Sequence, residues 1–260
     1  MGAERAPTPG SRRQKFLSAV PAAILILPVL LSLRGDALGW HDRTHVAIAR
    51  AAGFERWYSA AAPDVAKSKY PCGAYEGKNH YFHNPENRQV TGGMVQRQIS
   101  LHDRADDQEG HLYGAIVASV REYRALRARG KFADYPMVYC PHYAGDLSMP
   151  LHNVAYDAFN RARHHANDGV IEESAFRDAA LLRSRIYPIR IGNEDELCLE
   201  IARIAELSRQ LALRMQREGR DMTRTEALGQ AVHSASLLQA ILIYAGCPVL
   251  DLPESALELP

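Results

Sequence analysis

From residue 193 the run NEDELCLEIARIAELSRQLALRMQREG places an apolar residue every three or four positions, with polar residues between them. That period predicts an amphipathic helix, opened by an Asn and a Glu three residues later (Asn193, Glu196) and stopped by Gly219. The same spacing runs from about residue 110 to 128 in LYGAIVASVREYRALRARG, with Gly130 behind it. THVAIARAAG (44–53) repeats it on a shorter scale and also ends at glycine. TRTEALGQAVHSASLLQAILIYAG, from about 223 to 245, is more uniformly apolar and again closes on glycine. MVYCPHYAGDL (137–147) reads as a further helix, with Pro141 its questionable point.

Stretches of β-branched alternation are missing. Two segments rich in turn formers, YPCGAYEGKNHYFHNPENRQVTGG (70–93) and about 150–170, read as irregular connections. With no linker and no internal repeat, the expected architecture is all-α, one multi-helix domain over about 40–250.

The first 39 residues follow a different pattern. Arg12, Arg13 and Lys15 precede the apolar run FLSAVPAAILILPVLLSL, which ends at Arg34, and ALG at 37–39 offers small residues for cleavage. The expectation is a signal peptide over 1–39, cut between Gly39 and Trp40, and a secreted or periplasmic mature chain over 40–260; an uncleaved anchor is the alternative. SRRQKFL (11–17) falls one inserted residue short of a twin-arginine export signal.

The composition is that of a soluble globular protein, 47% hydrophobic and 23% charged with a formal net charge of +1. It gives no bulk argument for nucleic acid or an anionic membrane as partner. Without residues 1–39 the chain keeps 26 basic and 28 acidic side chains, a formal −2. Export permits disulfides among Cys72, Cys140, Cys198 and Cys247, in any of three pairings, and buried free thiols are the alternative. None of the four lies in a CxxC motif, which argues against a thiolate metal site.

Histidine is the informative residue, because all 11 lie after residue 40. In HYAGDLSMPLH (142–152), His142 and Asp146 are four apart, so a helix sets both on one face. His152 follows beyond Pro150, HHAND repeats the spacing with His164 and Asp168, and NHYFHNPE adds His80 and His83. One His–Asp pair alone is more often a surface pair or a core hydrogen bond than a metal site. Two such pairs, with a third histidine ten residues on and a His-rich loop, form a nitrogen and oxygen donor set of the kind catalytic zinc sites use.

HYAGDLSMPLH closely resembles the central motif of the zinc-dependent phospholipase C and single-strand nuclease superfamily, a group of trinuclear zinc phosphoesterases. WHDRTH, with Trp40 and His45 five apart, resembles the start of the mature nuclease-type chain. The likeness covers ordered motifs over most of 40–170; residues 171–260 share only generic helices. It implies a cofactor of three zinc ions. One would take Asp64, His80, His142 and Asp146. A second would take His152, His164 and Asp168. A third would take the α-amino group and carbonyl oxygen of Trp40 together with His45, bridged by Asp146. That role for Trp40 needs cleavage before it, since only a free amine can ligate. His80 is preferred to His83 because HYFHNP resembles the family's His-aromatic-aromatic-Asn-Pro run, with one extra residue. His164 is preferred to His165 because an acid lies four residues on; with His165 as the ligand the carboxylate partner is open, Glu172 being a distant alternative. The carboxylate matching Asp64 is a candidate general base. His102, His111 and His233 are assigned to the surface or to helix packing.

The implied reaction is phosphodiester hydrolysis by a zinc-activated water. The short His152-to-His164 interval and the HNPE loop resemble the phospholipase branch, and the Trp40–His45 spacing resembles the nuclease branch. Val154 and Tyr156 depart from the phospholipase motif, and Val65 stands where choline-preferring members carry an aromatic. Arg43 near the third metal would favour an anionic headgroup or a nucleotide phosphate. The expected partner is a phosphodiester substrate, either a phospholipid headgroup at a transiently contacted membrane surface or single-stranded nucleic acid. No obligate protein partner is expected. Tyr81, Phe82, Tyr143 and Tyr156 are candidate stacking aromatics. A different class also fits the residues, a non-catalytic exported protein that sequesters zinc.

Overall fold

The computed structural model describes residues 1–2 and 40–251. The expected export segment, with its cleavage boundary before Trp40, falls outside the described residues. The chain divides into two compact units, residues 1–33 and 34–260, and everything below belongs to the second.

The described residues form ten α-helices joined by short 3-10 turns: α1 Asp42–Ala51, α2 Ala62–Lys67, α3 Gly73–Glu76, α4 Gly92–Gln98, α5 Leu112–Ala128, α6 Asp134–Leu147, α7 Ala158–Asp168, α8 Ala175–Ser184, α9 Glu194–Glu218 and α10 Arg224–Ala245. The protein is all-α: no strand occurs among the described residues, and Phe54 and Val249 share one isolated antiparallel bridge.

The long helices begin and end where their sequences provide caps. The Asn193 side chain accepts the Glu196 amide at the start of α9. Thr223 and Glu226 exchange both bonds of a capping box at the start of α10. Gly219 and Gly246 end these helices at φ 65° and 75°, a left-handed cap that costs glycine least. α6 runs unbroken through Pro141, which removes one ladder hydrogen bond without ending the helix.

The two segments expected to be irregular are partly helical. Residues 70–93 contain α3 and a 3-10 turn at Gly77–Asn79. Residues 150–170 contain a 3-10 turn at Pro150–Asn153 and all of α7. α7 has a strong N-cap, since Asp157 accepts the Asn160 amide at 2.9 Å, but its sequence AFNRARHHAND carries too few apolar residues for hydrophobic period to reveal it. α1 starts at Asp42, two residues before the expected boundary.

Apolar burial falls into two clusters. One gathers Leu112, Ile116 and Val120 of α5, Met137, Tyr143 and Leu147 of α6, Ile201 of α9, and Leu238 and Ile241 of α10. The other gathers Trp40, Ile48 of α1, Leu182 of α8, Met215 of α9 and Leu228 of α10, with Met149 and Leu151. The motif HYAGDLSMPLH crosses from one to the other, and every residue from Cys140 to Val154 is buried. α10 is long and apolar enough to cross a membrane, but two-thirds of its apolar window is buried within the protein, as in a core helix. The four cysteines are free thiols: Cys140 and Cys198 are buried, Cys247 is half-buried and Cys72 is exposed.

Candidate metal centre

Six elements each contribute donors. α1 carries His45, α2 carries Asp64, and His80 follows the turn Gly77–Asn79. α6 presents His142 and Asp146 one turn apart, the turn Pro150–Asn153 places His152, and α7 presents His164 and Asp168 one turn apart. Their side chains meet in three groups: His45, Asp64 and His142; His80, His142 and Asp146; His152, His164 and Asp168. Within each group one nitrogen or oxygen from every member lies within 4.8 Å of the others.

The first two groups share His142, and Asp146 ties all three together. Its carboxylate lies 3.2 Å from His45 Nε2, 3.0 Å from His80 Nδ1, 3.3 Å from His142 Nε2 and 3.8 Å from His152 Nδ1. Asp64 Oδ1 lies 3.6 Å from His142 Nε2 and 3.8 Å from His80 Nδ1. His164 Nε2 lies 3.6 Å from Asp168 Oδ2. The His45 and His142 rings stack at 3.6 Å.

Many of these atoms are close without bonding each other. Both Asp146 oxygens, both nitrogens of His45 and of His152, Asp64 Oδ1 and His164 Nε2 are buried with no hydrogen-bond partner. A buried carboxylate left this way is costly, and buried polar atoms are otherwise almost always satisfied. Lone pairs of nitrogen and oxygen converging on shared points suit a divalent cation. The buried His/Asp clusters could therefore hold metal ions.

The outward nitrogens are fixed by groups that point the inward ones at the cluster. His142 Nδ1 donates to the Ala60 carbonyl (2.7 Å), which leaves Nε2 facing inward. His164 Nδ1 lies 2.6 Å from Asn160 Oδ1, and Asn160 is itself held by the Leu151 carbonyl (2.8 Å). His80 Nε2 lies 3.2 Å from Glu76 Oε1 without forming a hydrogen bond, and the Tyr143 hydroxyl donates to that oxygen (2.8 Å). Such outer partners set tautomer and ring direction.

Electrostatics follow from burial and crowding. Burial alone would raise Asp146 and Asp64, but the neighbouring imidazoles, and Lys67 beside Asp64, hold both carboxyls below their ordinary range. Burial would lower His142, yet Asp146 and Asp64 carry it up to about 9. Burial keeps His45 down, His152 down to about 3 and His164 well below its usual value. His45, His152 and His164 are thus poised as neutral ligands.

Trp40 is fully buried, and its indole donates weakly to Ser148 Oγ (3.4 Å). The next amide, His41 N–H, donates to the Asp168 carbonyl (3.4 Å), which brings the Trp40 end of the chain beside α7. His83 stays outside the three groups, stacked between Tyr81 (3.9 Å) and Tyr156 (4.7 Å). His165 is exposed with its ring 4.9 Å from His41. His111 is fully buried against Asp107 (2.9 Å), and His233 meets the Tyr187 hydroxyl (2.7 Å). Glu172 is no part of the donor set: its carboxylate accepts Arg43 N–H, Thr44 N–H and the Thr44 hydroxyl, each at 3.0 Å, and so caps α1. The Arg43 guanidinium lies over the Phe176 ring (5.7 Å).

Sequence reasoning passed over Glu76 and Asn160. Both stand four residues before a histidine of the cluster, in EGKNH and NRARH, the spacing that singled out His142 and Asp146. The Ala60 carbonyl leaves no mark in a sequence. The chain matches no protein-family model and no curated protein sequence.

Proposed function

We propose that the protein is an exported zinc-dependent hydrolase of phosphate diesters, acting in the manner of a phospholipase C. The observation that carries this reading is the convergence of eight buried or half-buried donors in three groups, among which both Asp146 oxygens, both nitrogens of His45 and of His152, Asp64 Oδ1 and His164 Nε2 are buried without a hydrogen bond. Bound zinc ions would polarise phosphoryl oxygens and lower the pKa of water. Asp146 would bridge ions, as the carboxylate within reach of four imidazoles. Asp64 is the donor at the solvent edge, with a side chain 15% exposed, while the other seven are almost fully enclosed. It is therefore the carboxylate placed to orient an incoming water and accept its proton. His142 and then Lys67, in contact with Asp64, hold that carboxyl below its ordinary range, and Lys67 adds positive charge where a phosphate would approach. With Trp40 already seated by the core, cleavage before it would deliver its amine as a further donor.

A second reading, cleavage of single-stranded nucleic acid, is favoured by one feature. The stack Tyr81–His83–Tyr156 ends in a half-exposed tyrosine whose ring lies 6.3 Å from His164, a surface for a nucleobase. Metal analysis and N-terminal sequencing of the purified protein come first. Phospholipid vesicles and single-stranded DNA are then each incubated with it, with and without chelator. Chelator-sensitive release of diacylglycerol supports the phospholipase reading, and chelator-sensitive cleavage of DNA supports the nuclease reading. Zinc binding with no turnover of either substrate or of bis-nitrophenyl phosphate would leave sequestration as the function.

A further inference from the structure

Ten large apolar or aromatic side chains are exposed between residues 40 and 251, and six of them belong to one region: Tyr58, Val65, Tyr70, Tyr75, Phe132 and Tyr135. Tyr58 lies in the 3-10 turn Trp57–Ser59, Val65 on α2, Tyr70 in the link between α2 and α3, Tyr75 on α3, Phe132 two residues before α6 and Tyr135 in its first turn. These elements are neighbours in the fold. α2 packs on α3 and α6, and the 3-10 turn packs on α6. Arg56 pairs with Asp134, joining the turn to the first residue of α6. The Tyr135 ring lies 5.2 Å from Tyr139, whose ring lies 6.3 Å from Tyr143, whose hydroxyl bonds Glu76 of α3. The run from Ser68 to Cys72 is exposed at every residue, with Tyr70 at 97% and Phe132 beside α6 at 77%.

We propose that this surface docks the protein on a phospholipid bilayer, with Tyr70 and Tyr75 entering the headgroup layer. The inference rests on the phospholipase reading above and deepens it. A concentration of exposed apolar side chains marks an interaction surface, whereas elsewhere Ile243 stands alone and only Leu199 and Leu207 share a groove along α9. Four of the six are tyrosines, whose apolar ring and polar hydroxyl suit the boundary between headgroups and acyl chains. Charge favours a bilayer over a nucleic acid. Along residues 55–78, Arg56 is paired with Asp134, Lys67 with Asp64, and Glu76 is buried. What remains is close to neutral, with Lys69 exposed at the tip, where it can reach a lipid phosphate. A polyanion would need a basic track. Position gives the surface a purpose: exposed Val65 adjoins Asp64, so docking sets the open edge of the donor cluster at the depth of lipid phosphates.

The test places a tryptophan at Tyr70, at Tyr75 and, as a control, at Leu199 of α9, which packs on α4. Each variant of the full chain is read as a difference against the parent, which contains Trp40 and Trp57. Phosphatidylcholine vesicles, with and without brominated acyl chains, are the probe. A blue shift and bromine quenching at positions 70 and 75, with neither at 199, is the expected result. An emission at 70 and 75 that ignores vesicles, or one that position 199 shares, overturns the proposal. The double variant Tyr70→Ser/Tyr75→Ser should lose hydrolysis of vesicle lipid and keep hydrolysis of soluble bis-nitrophenyl phosphate. Loss of both activities together, with zinc content retained, counts against a docking role. The two readings separate cleanly: insertion without lipid hydrolysis upholds the surface and removes the phospholipid substrate, and lipid hydrolysis without insertion does the reverse.

Discussion

A methyl group at Gly145 would sit 2.4 Å from His45 Nδ1 and 2.8 Å from its Cε1. Glycine inside a helix ordinarily costs about 0.5–1 kcal/mol relative to alanine. In HYAGDL it persists because α6 must let the His45 ring lie against its backbone, stacked on His142. Gly145→Ala should therefore add helix propensity yet displace His45. The expected outcome is a lower zinc stoichiometry by metal analysis, with helical content by circular dichroism unchanged. Full zinc loading in that variant would remove His45 from the centre. Asn160 makes a complementary case, since it positions His164 from outside the cluster. Asn160→Ala should weaken zinc binding about 10–100-fold, the usual cost of losing an outer partner, as measured by competition with a chromogenic chelator. At this scale the sequence was readable where an aspartate followed a histidine by one helical turn, as at His142–Asp146 and His164–Asp168, and it passed over Glu76 and Asn160, which precede a histidine by the same step. It was silent where the partner is a backbone carbonyl, as at Ala60, or where glycine acts by what it leaves out.

Helices announced themselves in proportion to the apolar surface they bury. α5, α9 and α10 were legible from period and caps, because each lays a wide stripe against the core. α2, α3 and α7 were not, being short or polar: α7 buries the polar groups His164 and Asp168 in place of an apolar stripe, and α2 and α3 leave Val65 and Tyr75 exposed. Their shape comes from tertiary contacts and single caps, which periodicity cannot report. α1 depends on a cap that comes from far along the chain. None of its first residues bonds its own N-terminus, and Glu172 supplies the carboxylate from 128 residues away. Glu172→Ala should cost about 0.5–2 kcal/mol of stability, the usual range for a lost N-cap, read from urea midpoints. Because α1 also carries His45, the variant should lose zinc before it unfolds in a chelator titration. Glu172→Gln keeps one acceptor and should fall between. A Glu172→Ala protein with unaltered midpoint would show that α1 is held by burial alone.

Across the molecule the loop carrying His80 is fastened to α9 by one ion pair. Glu206 accepts the Val90 amide (2.9 Å) and pairs with Arg209, whose guanidinium donates to the Asn87 carbonyl (2.6 Å). Burial pulls the Glu206 carboxyl up, but Arg209, Gln210 and the Val90 amide outweigh it and hold it at about 2, below its ordinary 4.5. A carboxyl lowered on folding stabilises fully above its unfolded value and stops doing so as pH falls through the folded one. Stability should thus decline between pH 4.5 and about 2, and Glu206→Gln should flatten that slope in urea midpoints measured across the range. The centre itself makes the larger demand. Seven donors are enclosed between two apolar clusters, Asp146 is fully buried without a hydrogen bond, and no arginine or lysine pairs with it among the described residues. A fold that concentrates such groups gives up stability which a bound cation restores. At free zinc about 100-fold above its Kd, each independent site adds about 2.7 kcal/mol. A unit of this size gains about 2–4 °C in Tm per kcal/mol, so each filled site should raise Tm by roughly 5–10 °C. Chelation should reverse the rise, and zinc should restore it, with magnesium a poor substitute because it avoids imidazole. Superimposable melting curves for chelated and zinc-loaded protein would mean that the buried carboxylates are satisfied in some other way, and the hydrolase reading would lose its foundation.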